Sequence, residues 1–366
     1  MKQTALNNAH KQQKAKMVEF AGYEMPIQYP LGMLKEHEWV RNGNVGIFDV
    51  SHMGQFIVEG ENCAEFLSKI TPSNFIISKE YLAKYTVLTN EKGGIIDDLI
   101  ITKINQNKFF IVLNAACKEK DIKWIQSQIP QNIEFEELTE KSLIAIQGQD
   151  SENILSQLIN ENISDLPYMN LQICTLKSNK SQIFVSRVGY TGEDGFEVSI
   201  ANNDAEKFWL DLSNFNEIEP IGLGARDSLR LEMGYPLYGH DLSDETSPIE
   251  AGLSWVVSKT NDNFIGCNHI IPQKANGCDK KRLGVKLLDR GVAREGFNVI
   301  KDNKTIGKLT SGGFSPTLKT SIGQGYFKTT EAKIGDEVFV EVRNRQIKAE
   351  ITSPTFLQAK TKTAKK

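Results

Sequence analysis

The segment 85–114 constrains the fold most strongly, because it combines strand-like apolar runs, a glycine turn and two adjacent carboxylates. The turn residues 91–94 contain two glycines, which allow the positive φ that tight hairpin turns need. Apolar and β-branched runs precede and follow this turn. The pattern therefore predicts a three-strand meander, with Asp97 and Asp98 at the start of its middle strand.

Side chains alternate between the two faces of a strand, so Asp97 and Asp98 are expected to point in opposite directions. One carboxylate can lie near the turn and water, whereas the other faces the space that the apolar residues cover. A carboxylate is costly to bury without a partner, and a buried one with a shifted pKa is a candidate for function. Two interpretations stay open from this segment alone: a functional acid, or two acids that simply suit a strand end beside glycine.

The overall composition is that of a soluble globular protein. The chain has 366 residues, and its 43 basic and 46 acidic residues give a net charge of −3. That length suits roughly two or three domains. A nucleic-acid-binding body would show a basic excess, and a membrane span would need about 20 consecutive apolar residues. Because the sequence has neither, nor an apolar signal region at its start, we expect no nucleic-acid partner and no membrane partner.

The cysteines and histidines indicate a reducing compartment and no metal. Five cysteines are widely spread, their number is odd and no CxxC motif occurs, which favours free thiols in a cytoplasmic protein. The five histidines show neither HExxH nor a clustered ligand spacing. We therefore expect no metal site.

A change in composition at residues 272–281 predicts a linker between two regions. This segment is polar, basic and contains glycine, and the region 1–271 before it mixes helix and strand patterns, including a predicted strand at 253–257. Short strand patterns follow over 282–355 and predict an all-β domain, either a small barrel or a sandwich. Residues 356–366 form a basic tail, of which 359–366 are expected to be frayed.

The loop 190–195 contains two glycines and leads into a predicted strand. Tyr190 and Glu197 could project from it into one pocket as an aromatic face and a carboxylate. That combination suits a flat heterocycle with donor nitrogens. The alternative is a well-formed β-turn with a surface glutamate.

Arg226 falls in the first turn of a predicted helix, where a cation opposes the helix dipole. Arg230 follows one turn later on the same face, and the two guanidinium groups could hold an anionic group together. The alternative is an ion pair between Arg230 and Asp227, three residues apart.

The Ser51-His52 pair suggests a nucleophile and its base, but strand geometry argues against it. Adjacent strand residues face opposite ways, so the two side chains cannot readily hydrogen-bond to each other. We interpret His52 as structural and Met53 as a residue that lines a cavity.

Eight segments, taken together and in order, resemble the aminomethyltransferases, or T-proteins, of the glycine cleavage system. The resemblance runs from about residue 5 to residue 355. The segments are Phe20–Pro26, Gly46–Gln55, Gly93–Leu99, Asn114–Ala116, Ser186–Val198, Gly222–Glu232, Leu237–Asp241 and Thr310–Leu318.

The resemblance implies an α+β fold with three domains in a cloverleaf around a central folate-binding tunnel. Two domains interleave along the chain, roughly 1–54 with 137–229 and 55–136 with 230–271. The third is the barrel-like C-terminal domain.

The resemblance also implies a reaction and its partners. The aminomethyl group on the lipoyl arm of H-protein would be cleaved to ammonia, its methylene would pass to tetrahydrofolate, and dihydrolipoyl H-protein would remain. The implied catalytic acid is Asp98, with Asp97 in a supporting role. The implied folate-contacting residues are Met53, Tyr85, Asn114, Tyr168, Tyr190, Glu197, Arg226 and Tyr235.

A folate-dependent demethylase of a small methylated sulfonium or amine is the alternative within the same superfamily. Folate-binding relatives without transferase activity carry a KGCYxGQE-type motif, which this sequence lacks. Two departures from the family pattern are Gly148-Gln149-Asp150, where Gly-Pro is usual, and Tyr23, where Trp is common. Neither change bears on the implied chemistry.

Overall fold

The computed structural model of the chain describes residues 1–343 and 345–362. None of the helices in these residues is long and apolar enough to cross a membrane. The helices are α1 (Asn7–Gln12), α2 (Met33–Arg41), α3 (Cys63–Ile70), α4 (Lys118–Gln128), α5 (Ser151–Leu158), α6 (Asn202–Ser213), α7 (Leu223–Glu232) and α8 (Cys267–Asn276), with a 3-10 helix at Ser254–Val256.

The strands form two open sheets, one barrel and a separate hairpin. They are β1 (Lys16–Phe20), β2 (Tyr23–Gln28), β3 (Val45–Asp49), β4 (Gly54–Gly60), β5 (Ala83–Thr89), β6 (Ile95–Asn105), β7 (Lys108–Leu113), β8 (Ile133–Glu137), β9 (Lys141–Gln147), β10 (Leu171–Thr175), β11 (Gln182–Ser186), β12 (Gly195–Ala201), β13 (Ile218–Pro220), β14 (Lys280–Leu287), β15 (Asn298–Lys301), β16 (Lys304–Ser315), β17 (Thr320–Lys328), β18 (Glu337–Val342) and β19 (Arg345–Thr352).

The first sheet has the strand order β10-β11-β12-β9-β3-β13. Its neighbouring strands are antiparallel except for β13 and β3, which run parallel. Phe196 and Val198 of β12 are buried in one apolar cluster with Trp209 of α6. Because side chains alternate along a strand, Glu197 between them lies on the opposite face of the sheet.

The second sheet has the order β5-β6-β7-β4-β8, with every neighbouring pair antiparallel. Leu99 and Ile101 of β6 pack on its outer face with Phe66 of α3 and Ile125 of α4. The predicted three-strand meander is confirmed as β5, β6 and β7.

The inner faces of the two sheets meet in a shared apolar core. Phe110 of β7 packs there with Leu143 of β9, and its ring centroid lies 5.3 Å from that of Phe184 on β11. Fully burying such a side chain contributes about 1.5–3 kcal/mol. Asp98 and Asn114 have the same strand parity as the inner-face residues of β6 and β7, so they too point into the space between the sheets.

The C-terminal region is a closed barrel with the order β14-β17-β16-β15-β18-β19. Val285, Val299, Val338 and Ile351 are among the fully buried residues of its core. The predicted α+β class and the predicted barrel-like C-terminal domain are both confirmed. The five cysteines are free thiols, as expected.

Two sequence-based assignments near residue 260 are wrong or incomplete. The predicted strand at 253–257 is a 3-10 turn, Ser254–Val256, whose buried member Val256 packs with Val87 and Phe264. The predicted linker 272–281 is helical up to Asn276, although Pro272 lies inside that helix. Only three residues separate α8 from β14. The division of the chain into domains stays a proposal.

The C-terminal tail is docked as far as the structure describes it, so the prediction of fraying is wrong for residues 359–362. Lys360 Nζ lies 3.1 Å from a Glu193 carboxylate oxygen, and Lys362 Nζ lies 2.8 Å from one of Glu152. The Tyr168 amide donates to the Lys362 carbonyl at 3.1 Å. Glu193 and Glu152 therefore hold two lysines that the composition alone placed in solvent. Residues 363–366 of the predicted tail, and residue 344 of a predicted hairpin turn, lie outside the described residues.

Candidate active site

The middle strand of the meander places Asp98 between the two sheets. Asp98 is 9 % exposed and accepts hydrogen bonds from the Tyr85 hydroxyl at 2.9 Å and from the Asn114 side-chain amide at 2.9 Å. Burial, and then the negative charge of Asp97, raise the pKa of Asp98 to about 7. A carboxyl group with that pKa can carry negative charge or a proton near neutral pH, as a group that handles protons requires.

Asp97 points away from this space, as the strand alternation predicts. It is fully buried and accepts hydrogen bonds from the backbone N–H of Asn114 at 3.3 Å and from its side-chain amide at 3.0 Å. The same amide therefore contacts both carboxylates. The two acids are not a direct acid–base pair, but Asn114 bridges them, which the alternation argument alone did not predict.

The opposite wall of the space carries Glu197. Its side chain is 7 % exposed, and a cavity of about 10 Å³ beside it is lined by Ile100 and Val112 of the second sheet and by Ser186 of the first. Burial raises the pKa of Glu197, and the positive charge of Arg226 works against this rise. The side chain accepts no hydrogen bond from the residues that the structure describes, so its oxygens are free to accept one from a ligand.

Three tyrosines close one side of this space. Tyr190 and Tyr235 are stacked with ring centroids 5.7 Å apart and an interplanar angle of 23°, and the Tyr190 hydroxyl donates to the Pro236 carbonyl. Tyr168 lies beside Tyr235, and burial is the largest cause of its raised pKa. These aromatic faces can hold a flat ring.

The loop before β12 is held rigidly by contacts that its sequence did not reveal. Gly192 has a φ of +79°, and a Cβ there would lie 2.3 Å from the Met233 sulfur. Glu193 pairs with Arg41 at 3.0 Å, and Asp194 pairs with Arg187. The loop is therefore fixed by packing and ion pairs, and it holds Tyr190 in place instead of forming an exposed turn.

Arg226 and Arg230 have different surroundings, which corrects the idea that they act together. Arg230 pairs with Asp227 at 2.8 Å and with the buried Asp241 at 2.9 Å, so it is committed to structure. Arg226 lies with its guanidinium carbon 4.9 Å from the ring centroid of Tyr190, and its Nη1 is buried with no hydrogen-bond partner among the described residues. Of these two arginines, Arg226 is the one that keeps a free donor for a ligand, as far as the described residues show.

Met53 packs against the shared core of the two sheets, beside the same space. The Ser51 hydroxyl bonds to the Leu143 carbonyl at 3.2 Å and not to His52, as expected. His52 is buried between Phe20 and Tyr23, and burial lowers its pKa to about 4. A serine nucleophile with a histidine base is therefore not formed here.

The structure adds residues that the sequence did not single out. Trp255 is 64 % exposed and lies 5.4 Å from the Tyr85 ring, between centroids, at the edge of the site. Asp121 and Cys117 lie behind Asp97, where the polar atoms of the three side chains are all within 4.8 Å of one another. Their spacing across a strand, a loop and a helix carries no short motif that could have marked them.

Known proteins match this chain over almost its full length. The GCVT N-terminal domain family matches residues 6–261, and the glycine cleavage T-protein C-terminal barrel domain family matches residues 280–358. An aminomethyltransferase from Clostridium botulinum is 39 % identical over 370 residues, which cover 99 % of each chain. Another, from Flavobacterium psychrophilum, is 40 % identical over 361 residues, or 97 % of this chain and 99 % of its own length.

The fold comparison agrees. The crystal structure of glycine cleavage system aminomethyltransferase T from Bartonella henselae superposes with a TM-score of 0.92 at 33 % identity, covering 99 % of both chains. Two sheets that enclose a buried acid, joined to a C-terminal barrel, thus define an enzyme of the aminomethyltransferase class. The chain belongs to the glycine cleavage T-protein family.

Proposed function

We propose that this protein performs the aminomethyltransferase step of glycine cleavage. In this step the aminomethyl group on the lipoyl arm of H-protein loses ammonia, and its methylene passes to tetrahydrofolate. The products are 5,10-methylenetetrahydrofolate, ammonia and dihydrolipoyl H-protein. The observation that carries the proposal is Asp98, a buried carboxyl held by Tyr85 and Asn114 in the space between the two sheets, where burial and the charge of Asp97 raise its pKa to about 7.

Tetrahydrofolate fits this space by its chemistry. Its pterin is a flat ring with several donors and acceptors, and Tyr190 and Glu197 offer an aromatic face and a free acceptor. Arg226 supplies a charged donor whose Nη1 has no partner among the described residues. The residues that we propose as folate contacts are Met53, Tyr85, Asn114, Tyr168, Tyr190, Glu197, Arg226 and Tyr235.

Asp98 is proposed to act through its charge. Positive charge develops on the attacking folate nitrogen and on the transferred methylene, and a fixed carboxylate in a buried site stabilises that charge more than water does. Tyr85 and Asn114 hold both oxygens of Asp98, so the carboxylate is oriented before substrate arrives. With a pKa of about 7, Asp98 can also relay a proton from the folate nitrogen.

No covalent enzyme intermediate enters the proposal. Cys63, Cys117 and Cys174 are buried, and burial raises the pKa of each thiol, which disfavours the reactive thiolate. The Ser51 hydroxyl lacks a histidine partner. The absence of an activated nucleophile among these residues is consistent with a reaction in which the enzyme positions the substrates and stabilises charge.

H-protein is the proposed protein partner, and the cytoplasm is the proposed location. A basic surface that meets an acidic lipoyl carrier would make the association weaken as salt is added. Lys360 and Lys362 are already paired within the chain, so the described part of the tail does not supply that surface. Association that does not change with salt would count against an electrostatic docking surface.

The test is an assay for methylenetetrahydrofolate with aminomethyl-loaded lipoyl carrier, run beside a panel of small methylated sulfonium and amine donors. We expect product only with the lipoyl carrier, and unchanged turnover when a chelator is added. The folate-dependent demethylase is the alternative, and the similarity to named aminomethyltransferases over the whole chain does not favour it. Turnover with a small donor and none with the lipoyl carrier would favour the demethylase over the aminomethyltransferase.

A further inference from the structure

A second acidic cluster lies directly behind the candidate active site, on the outer face of β6. It consists of Asp97, Cys117 and Asp121, whose polar atoms all lie within 4.8 Å of one another. Asp97 and Asp121 are each fully buried. Within residues 1–343 and 345–362, no lysine or arginine nitrogen lies within 4.0 Å of either carboxylate, and the adjacent Lys120 donates to the Ile96 carbonyl and the Tyr238 hydroxyl instead.

The two carboxyl groups differ in their hydrogen bonds. Asp97 accepts from Asn114 on both oxygens, at 3.3 Å and 3.0 Å, whereas both oxygens of Asp121 are buried without a donor among the described residues. Donors stabilise a charged carboxylate, and a buried carboxylate without donors is destabilised. Two buried carboxyl groups with oxygens within 4.8 Å of each other strongly disfavour each other's ionisation. The charge therefore belongs on Asp97 and the proton on Asp121.

We propose that Asp121 is held protonated and donates a hydrogen bond to Asp97, so that the pair carries one negative charge and serves as a positioning device for Asp98. This inference rests on the proposed role of Asp98. Asp97 lies on the outer face of β6, and Asp121 lies behind it. The Asn114 side-chain amide lies 3.0 Å from Asp97 and 2.9 Å from Asp98, so Asp97 acts on Asp98 through this shared donor and through its charge.

Glu197 lies on the opposite wall of the same space and Arg226 lies beside Tyr190, but the charge that most raises the pKa of Asp98 is that of Asp97. Burial raises the pKa of the Tyr85 and Tyr190 hydroxyls that face Asp98, so both stay neutral. On the other side, burial raises the pKa of Cys117 and Tyr238, which leaves Lys120 as the cation beside the pair. Burial and the neighbouring Asp97 also raise the pKa of Asp121, to about 10, in agreement with a retained proton.

The sign of the effect follows from like-charge repulsion. The negative charge of Asp97 disfavours ionisation of Asp98 and raises its pKa, so the activity that needs ionised Asp98 is lost as pH falls through about 7. Removing the charge of Asp97 lowers that pKa and extends activity to lower pH. Replacing Asp121 by an isosteric neutral donor leaves one charge on Asp97 and therefore leaves the pKa of Asp98 where it was.

The matched variants are Asp97→Asn and Asp121→Asn, which make the same chemical change on the two sides of one hydrogen bond. The measurement is the pH profile of kcat/KM for methylenetetrahydrofolate formation. We expect the acid limb of Asp97→Asn to lie about one pH unit lower than that of the parent, so that at pH values below both limbs the variant is about tenfold faster. We expect the limb of Asp121→Asn to coincide with that of the parent. A purely structural pair would leave both limbs in place, and that result, or equal shifts in both variants, overturns the proposal.

A second measurement is independent of activity and of the role of Asp98. The infrared difference spectrum between the parent protein and Asp121→Asn at neutral pH is expected to show the carbonyl stretch of a protonated carboxyl group in the parent only. Absence of that band overturns the proposal even if the enzyme is active. A stoichiometric divalent cation in the purified protein would also overturn it, because the cation would replace the proton. If Asp97→Asn does not fold, the infrared spectrum and the Asp121→Asn profile decide.

Discussion

Arg226 and Arg230 lie one turn apart on helix α7, yet only one of them is satisfied by the protein. Arg230 bonds to Asp227, Asp241, the Ser311 hydroxyl and the Tyr235 carbonyl. Arg226 rests on the Tyr190 ring and keeps one buried nitrogen without a partner among the described residues. A buried donor without a partner costs free energy that the fold alone does not recover, so its presence marks a place where a ligand completes the structure.

The carboxylates repeat this contrast. Asp241 joins helix α7 to the barrel and accepts from Arg230, the Leu237 amide, Ser311, Gln324 and Thr310. Glu197 is also buried but accepts no hydrogen bond from the described residues. The contact between α7 and the barrel and the candidate active site therefore both contain buried charged side chains. What separates the structural interface from the candidate active site is whether the charge is satisfied.

The largest expected effect comes from Asp98→Asn, which keeps the shape and removes the charge at the reacting centre. We expect kcat to fall by about 10²–10⁴-fold, because charge stabilisation and proton relay are lost together. Tetrahydrofolate binding, measured by calorimetry, should change little, since the folate-binding walls are untouched. Turnover equal to that of the parent would remove Asp98 from the mechanism.

Arg230→Leu should reduce stability and is the structural half of the arginine comparison. Asp241 would keep a buried charge without its cationic partner, which costs about 3–5 kcal/mol of unfolding free energy. The measurement is urea denaturation followed by tryptophan fluorescence, read as a shift of the midpoint. A midpoint equal to that of the parent would show that the helix–barrel network does not depend on this pair.

Arg226→Leu is the matched control on the same helix, and the opposite pattern is expected. The urea midpoint should stay the same or rise, because a buried and only partly satisfied charge is replaced by an apolar side chain. Affinity for tetrahydrofolate should fall by about 10–100-fold, the worth of a charged hydrogen bond of about 1.5–3 kcal/mol. Loss of stability with unchanged affinity would break the distinction between the two arginines.

Tyr85→Phe is expected to have the smallest effect. The Tyr85 hydroxyl donates to Asp98 and favours its charged form, so the pKa of Asp98, about 7 in the parent, should rise when that donor is removed. The acid limb of the pH profile should move to higher pH, and turnover near neutrality should fall by about 3–10-fold for a lost hydrogen bond. A limb that moves to lower pH would contradict the assigned role of the hydroxyl.

Much of the local fold was predictable from sequence because it depends on short-range pattern. Period-two alternation and a glycine turn predicted the meander and the opposite orientations of the two acids, whereas the choice of Asp98 as the inward-facing acid came from the family resemblance. Regularly spaced short strands predicted a small barrel or a sandwich, and the family resemblance favoured the barrel. The 3-10 turn at Ser254–Val256 was missed because a short apolar run looks the same in a strand as in a buried turn.

The sequence did not predict which charged side chains find hydrogen-bond partners within the protein, because those partners are distant in sequence. Asp227 was an obvious neighbour of Arg230, but Asp241 and Ser311 reach it only through the packing of the barrel on α7. Asn114 bridges Asp97 and Asp98 because the register sets Leu99 opposite Leu113. The family resemblance named these site positions without saying which of them the protein leaves unpaired.

The most direct test of the central claim is a structure of the enzyme with tetrahydrofolate bound. We predict the pterin between the two sheets, with Glu197 and Arg226 hydrogen-bonded to the ligand and Asp98 within hydrogen-bond distance of a reacting folate nitrogen. The Arg226 nitrogen that has no partner among the described residues would then be satisfied by the ligand, while Arg230 would keep its protein partners. Folate bound elsewhere, with Arg226 and Glu197 still unoccupied, would contradict the account.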